Sequence, residues 1–118
     1  MDAKVFGQKG EAAAARYYLD RGCRLLAHNY RTRMGELDLV LMEGETVVIA
    51  EVKARSETRR GPAAGAVGPA KQRRIILAAQ RFLQQSGLSE HPVRFDVVEV
   101  TPAEGGLLVH CIRSAFEL

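Results

Sequence analysis

Cysteine is scarce in this chain. Cys23 and Cys111 are the only two, and they lie far apart. That spacing gives neither a dense disulfide framework nor a paired thiolate metal motif, so both are expected to be reduced and mostly buried. Histidine offers no zinc site either. His28 and His110 have no Cys or His at ligand spacing, and His91 sits in a Pro-bounded turn. The glycines form no Walker phosphate loop and no dinucleotide fingerprint, which leaves ATP or NAD dependence without support. No run approaches the ~18 apolar residues needed to span a bilayer. The opening "MDAKVFGQKG" also lacks a long apolar core. No membrane association is expected, and the cytoplasm is the expected compartment.

What is present fits one modest core. The chain has 118 residues, 47% of them in the hydrophobic set, and no internal repeat, so a single domain over 1–118 is expected. A net charge of +3 is too small by itself to identify a polyanionic partner. Its distribution says more. From Glu51 through Arg81 the chain has eight basic residues against only Glu51 and Glu57, so a phosphate backbone brought there would meet cations on its way in.

The first helix is expected from Lys9 or Gly10 to Arg21, with Ala12, Ala15 and Leu19 as its packing stripe. Gly22 supplies a stop. Glu11 then falls in the opening turn, where it either caps the free amides or points towards the acids described next. "CRLLAHNYRT" reads as a strand, followed by a hairpin of Glu36–Leu41 and Thr46–Ala54. Residues 55–68, rich in Gly and short side chains, are expected to be a mobile loop. Pro69 opens a second helix that stops at Gly87, with Ile75, Ile76, Ala79, Phe82 and Leu83 buried. "VRFDVVEV" and "LLVHCIRSAF" read as the last two strands, with Asp96 in a local charge pair. The order helix, three strands, helix, two strands predicts an α/β fold, a mixed sheet with helices packed on it.

The hairpin carries the chemistry. A turn at Gly44 and Glu45 places Asp38 opposite Glu51 and Glu36 opposite Lys53, all on one face, while Leu37, Leu39, Leu41, Val48, Ala50 and Val52 face away. Two carboxylates opposite each other repel unless a cation compensates. Asp38, Glu51 and the backbone carbonyl of Val52 are oxygen donors suited to Mg²⁺ or Mn²⁺. Lys53 can then orient a water or offset the charge that develops during phosphodiester hydrolysis. Gln72, near the start of the second helix, is a candidate to touch the scissile phosphate or the water. Arg31, Arg33, Arg55, Arg59, Arg60, Lys71 and Arg74 are candidates for the outer phosphates.

The pieces "GQKGEAAAARYYLDRG", "NYRTRMGELDLV", "VVIAEVKAR" and "KQRRIILAAQRFL" together resemble the UPF0102 family of small bacterial YraN-like proteins, grouped with Holliday-junction-resolvase-like members of the PD-(D/E)XK nuclease superfamily. The resemblance implies a restriction-endonuclease-like core and nucleic-acid binding. It implies metal carboxylates at Asp38 and Glu51, the superfamily lysine at Lys53, and a helix-borne acid at Glu11. Leu37 stands where the superfamily's name-giving proline would be. Resolvases of this kind commonly act as two-fold dimers, so a homodimer is an expected assembly. Three activities follow as alternatives: a metal-dependent endonuclease on branched or irregular DNA, a non-catalytic nucleic-acid-binding module, and an adaptor in DNA processing.

Overall fold

Alternation with a period of two puts a separate apolar set on each side of a central sheet, and a helix covers each side. The computed structural model describes residues 3–55 and 67–117. Helix α1 spans Ala3–Leu19 and α2 spans Pro69–Ser86. Strands β1 (Arg24–Arg31), β2 (Glu36–Glu43), β3 (Thr46–Ala54), β4 (Val93–Ala103) and β5 (Gly106–Phe116) form one sheet in the order β1-β2-β3-β4-β5. Only β3 and β4 run parallel, joined through α2; the other neighbours are antiparallel. This helix-strand-strand-strand-helix-strand-strand order and mixed sheet are those of the restriction-endonuclease-like core. Among the described residues no helix is long and apolar enough to cross a membrane.

Val40, Met42, Val47, Ile49, Phe95 and Val97 pack with Ile75, Ala78, Ala79, Phe82 and Leu83 of α2. The intervening Leu39, Leu41, Val48, Ala50, Val98 and Val100 pack with Ala14 and Tyr18 of α1. Since successive strand residues point to opposite faces, α1 and α2 lie on opposite sides of the sheet.

The boundaries of α2 follow from its ends: Pro69 suits the first turn, and Gly87 takes the left-handed conformation (φ 69°) that ends the helix. Ile76 is only partly buried, and Ala78 takes its expected place in the core. The start of α1 corrects the sequence expectation. The helix begins at Ala3 instead of Lys9, so Glu11 lies in its interior and caps nothing. The helix also rolls relative to the expected stripe: Ala14 and Tyr18 are buried, whereas Ala12 and Leu19 are exposed. Close approach decides this, because Gly10 rests on β3, where a Cβ would come within 2.7 Å of Ala54 Cβ.

Asp96 is fully buried. It accepts hydrogen bonds from Tyr18 Oη (2.8 Å), Arg94 Nε (2.9 Å), Arg94 Nη2 (3.1 Å) and the Ser114 amide (3.0 Å), and Arg94 Nη1 reaches Glu43 at 2.7 Å. This is the local charge pair that the sequence suggests, extended to Tyr18 of α1. It satisfies the carboxylate with both charge and donors, as burial demands. Cys23 and Cys111 are free thiols, the first buried and the second half-buried.

Candidate functional site

The β2–β3 register is the expected one, with Leu39 opposite Ala50 and Glu43 opposite Thr46. Continued by one step, it sets Asp38 against Glu51. The regular ladder stops there. Asp38 Oδ2 accepts the Val52 amide at 2.8 Å, an N–H that an unbroken ladder would give to the Leu37 carbonyl. This exchange accounts for a second correction. Leu37 packs in the core on the α2 side, not with Leu39 and Leu41 on the far side. The strands part where the acids sit.

Asp38 and Glu51 line one cavity of about 420 Å³ with Gly35, Glu36, Lys71 and Arg74. Glu51 is only 6% exposed. Burial raises the pKa of both carboxyl groups. Glu51 is pushed up to about 7 by burial and then by the Asp38 charge. An ionised Asp38 therefore makes ionising Glu51 costly. Lys71 Nζ lies 2.6 Å from Glu51 Oε1, and that hydrogen bond raises the ammonium's own pKa. Lys71 sits in the first turn of α2, which has no acidic residue of its own and no side-chain cap. A cation is unfavourable at that end of a helix, and Glu51 from β3 compensates it across space.

Lys53 is half-buried one strand step beyond Glu51, opposite Glu99 in the parallel β3–β4 pairing. Its pKa is lowered by burial and by the charges of Arg55 and Lys71, against the opposing pull of Glu51 and Glu99. Glu99, 3% exposed, is an acid that the sequence reading passed over. The signal was present, since Glu99 shares the parity of Val97, which faces α2.

Glu11 approaches from α1. Its pKa is raised by burial and then by the Asp38 charge, so it feels the pair. It lines a different cavity, with His28, Asn29 and Leu39. Gln72 is engaged locally, its Nε2 donating to the Val67 carbonyl at 2.6 Å. Arg74 opens onto the acid-pair cavity, while Arg31 and Arg33 line a separate cleft. Arg55 is half-buried, with its amide on the Val100 carbonyl at 2.9 Å. Arg59, Arg60 and most of the expected mobile loop lie outside the described residues.

Among the described residues no three His, Cys, Asp or Glu side chains converge as a metal cluster. The pair nevertheless suits a hard divalent cation. Mg²⁺ is commonly held by one or two carboxylates and completes its shell with waters and substrate phosphates. The repulsion within the pair is already relieved by a cation, Lys71.

A mixed five-stranded sheet with a helix on each face, opened at one end around a buried glutamate, a half-buried aspartate and a lysine, has a nuclease-like fold. The chain belongs to the family described as "Uncharacterised protein family UPF0102", which matches residues 10–100. A UPF0102 protein of Stutzerimonas stutzeri is 46% identical over 117 residues, covering 98% of each chain. One of Pseudomonas fluorescens is 44% identical over 113 residues, covering 94% of this chain and 92% of its own. One of Symbiobacterium thermophilum is 43% identical over 111 residues, covering 93% and 94%.

Proposed function

We propose that this protein is a metal-dependent endonuclease that hydrolyses phosphodiester bonds in branched or irregular DNA, acting in the cytoplasm as a homodimer that presents two sites to two strands. The observation that carries the reading is the Asp38–Glu51 pair, Glu51 buried and Asp38 half-buried, at the splayed end of β2 and β3, with Lys53 one strand step further on. A fold needs no such pair for stability, because setting two acids side by side away from full solvent costs free energy that an apolar pair would not. Asp38, Glu51 and the Val52 carbonyl would hold Mg²⁺ or Mn²⁺, which when bound polarises a phosphate and acidifies a water. Lys53, one strand step beyond Glu51, holds positive charge beside the reacting phosphate and offsets the negative charge that develops there. Arg74 lies on the cavity rim, where it neutralises a neighbouring phosphate. Glu11 acts from the far side of the sheet by adding negative potential at Asp38.

The test uses nuclease-free protein titrated with Mg²⁺ and with Mn²⁺ against junction, flap, single-stranded and duplex DNA. Cleavage should disappear in Asp38→Asn and Glu51→Gln while the fold and DNA binding remain. Cleavage that survives both changes would overturn the reading.

A second reading, a nucleic-acid-binding module without turnover, is favoured by one observation: the Lys71 ammonium already neutralises Glu51. It expects salt-sensitive binding and no metal-dependent product.

A further inference from the structure

The basic residues of α2 are arranged as a track. The helix carries Lys71, Arg73, Arg74 and Arg81 and no acidic residue. Lys71, Arg74 and Arg81 follow offsets of three and seven, which return to one face of a helix. At 1.5 Å per residue the track is ~15 Å long. Its near end, Lys71 and Arg74, opens on the acid-pair cavity. Its far end, Arg81, enters a separate cleft of about 460 Å³ whose opposite wall is the end of β1 and the turn into β2.

That cleft is built, not incidental. Arg31, Arg33 and Arg81 all line it, and among the described residues no carboxylate does. Only Arg31 has an acidic neighbour, Glu36 at 3.7 Å; among the described residues neither Arg33 nor Arg81 has one within ion-pair distance. The turn that carries Arg33 is fixed by Thr32, whose Oγ1 accepts the amides of Met34 and Gly35, each at 3.0 Å. The Tyr30 ring stands edge-on to Phe82, and its hydroxyl donates to Gln85. Met34 projects from the rim at 45% exposure. Guanidinium groups on a fixed frame beside an exposed apolar surface match a phosphate next to the flat face of a base.

We infer that this cleft is a second nucleic-acid subsite, in which Arg33 and Arg81 bind the phosphates of the strand that leaves the acid pair along α2, and Met34 with Tyr30 supports a base. The inference rests on the nucleic-acid reading above and adds a direction to it. The strand runs from the acid pair towards the β1–β2 turn, and the ~15 Å between the two ends equals four to five duplex steps at ~3.4 Å each.

The test is fluorescence anisotropy with the full chain and labelled single-stranded and duplex DNA over a range of salt, without metal so that nothing is cut. The variants are Arg33→Gln with Arg81→Gln, Arg74→Gln alone, and Arg16→Gln as an exposed control on α1. All are surface changes that leave the melting temperature close to wild type. The Arg33/Arg81 variant should bind at least ~10-fold more weakly at low salt, with a log–log salt slope shallower by ~1.4 for single strands or ~1.8 for duplex, the value for two lost phosphates. The control should bind like wild type. If Arg74→Gln weakens binding but the Arg33/Arg81 variant does not, the subsite is overturned and the nucleic-acid reading stands. Equal weakening by the control also overturns it, since net charge alone would then explain the loss. A wild-type protein with no salt-sensitive binding removes the nucleic-acid reading itself and the subsite with it.

Discussion

The Lys71 ammonium lies 2.6 Å from a Glu51 carboxylate that is buried beside a second acid, Asp38. Lys71 belongs to the helix on one face of the sheet and Glu51 to the strand beneath it, so the contact ties α2 to β3 at the opening of the acid-pair cavity. It offsets negative charge at the pair, and it makes Lys71 a competitor for any divalent cation that arrives. The competition leads to the first prediction.

Lys71→Met removes the internal counter-ion and keeps the aliphatic stem. Because half of the Lys71 side chain is exposed, the loss of folding stability should be small, ~1 kcal/mol or less. Affinity for Mn²⁺, read by calorimetry, should rise, since the ion no longer displaces an ammonium. A fall in Mn²⁺ affinity would show that Lys71 holds the carboxylates in place for the ion instead of competing with it.

The pair also sets a pH dependence. Glu51 holds its proton to about 7, against an ordinary value of 4.5. Between those values the native state binds more protons than the unfolded chain, so this group's contribution is fully present below about 4.5 and is lost as pH rises to about 7. At ~1.4 kcal/mol per unit the span is on the order of 3 kcal/mol. Urea unfolding of wild type and Glu51→Gln should therefore diverge with pH. The difference between them should shift in favour of the Gln variant as pH increases from acid to neutral. Parallel stability curves would show that Glu51 is ionised throughout.

The fold was legible where local chemistry and tertiary packing agree. The alternation of β3 and the turn before it place Thr46–Ala54 correctly, and Pro69 with Gly87 bracket α2. The start of α1 was not legible. "AKVFG" contains a β-branched residue and a glycine, both poor helix formers, and only the burial of Phe6 and the seating of Gly10 on Ala54 make the segment helical. The position of the acid pair followed from register. Its electrostatics did not, because the Lys71 contact spans the sheet and α2, and helical periodicity marks Lys71 only as a solvated residue. Glu99 and the Tyr18–Asp96 bond were missed for a related reason: each gains its meaning from a neighbouring element that pairs or packs at long range.

The buried network around Asp96 should dominate stability away from the site. Among the described residues, Asp96→Asn leaves the Arg94 guanidinium, whose side chain is 13% exposed, with only Glu43 as a counter-charge. A loss of about 3–5 kcal/mol is expected, as for a buried pair deprived of one member. Tyr18→Phe removes the 2.8 Å bond to the same carboxylate together with the 3.4 Å contact of the hydroxyl with Cys111 Sγ, and should cost about 1.5–3 kcal/mol. Because one network holds both residues, the double variant should lose less than the sum of the two. Additive losses in chemical denaturation would show that the Tyr18 hydroxyl and the Asp96 charge are not coupled.

Two glycines should respond in opposite directions to the same methyl group. At Gly35 a Cβ would lie 2.6 Å from the Arg74 carbonyl oxygen and 3.0 Å from its carbon, which are backbone atoms that cannot rotate away. Gly35→Ala must therefore push α2 off the end of β2, and overpacking of this kind costs about 1–3 kcal/mol. Lys71 and Arg74 would move with the helix, so DNA binding should weaken along with the melting temperature. At Gly7, inside α1, a Cβ meets nothing within 4 Å. Gly7→Ala should stabilise the protein by about 0.5–1 kcal/mol through helix propensity alone and leave DNA binding unchanged. Thermal melts and anisotropy on the two variants check both claims. A Gly35→Ala protein with wild-type stability and affinity would mean that α2 does not sit against β2 at this point.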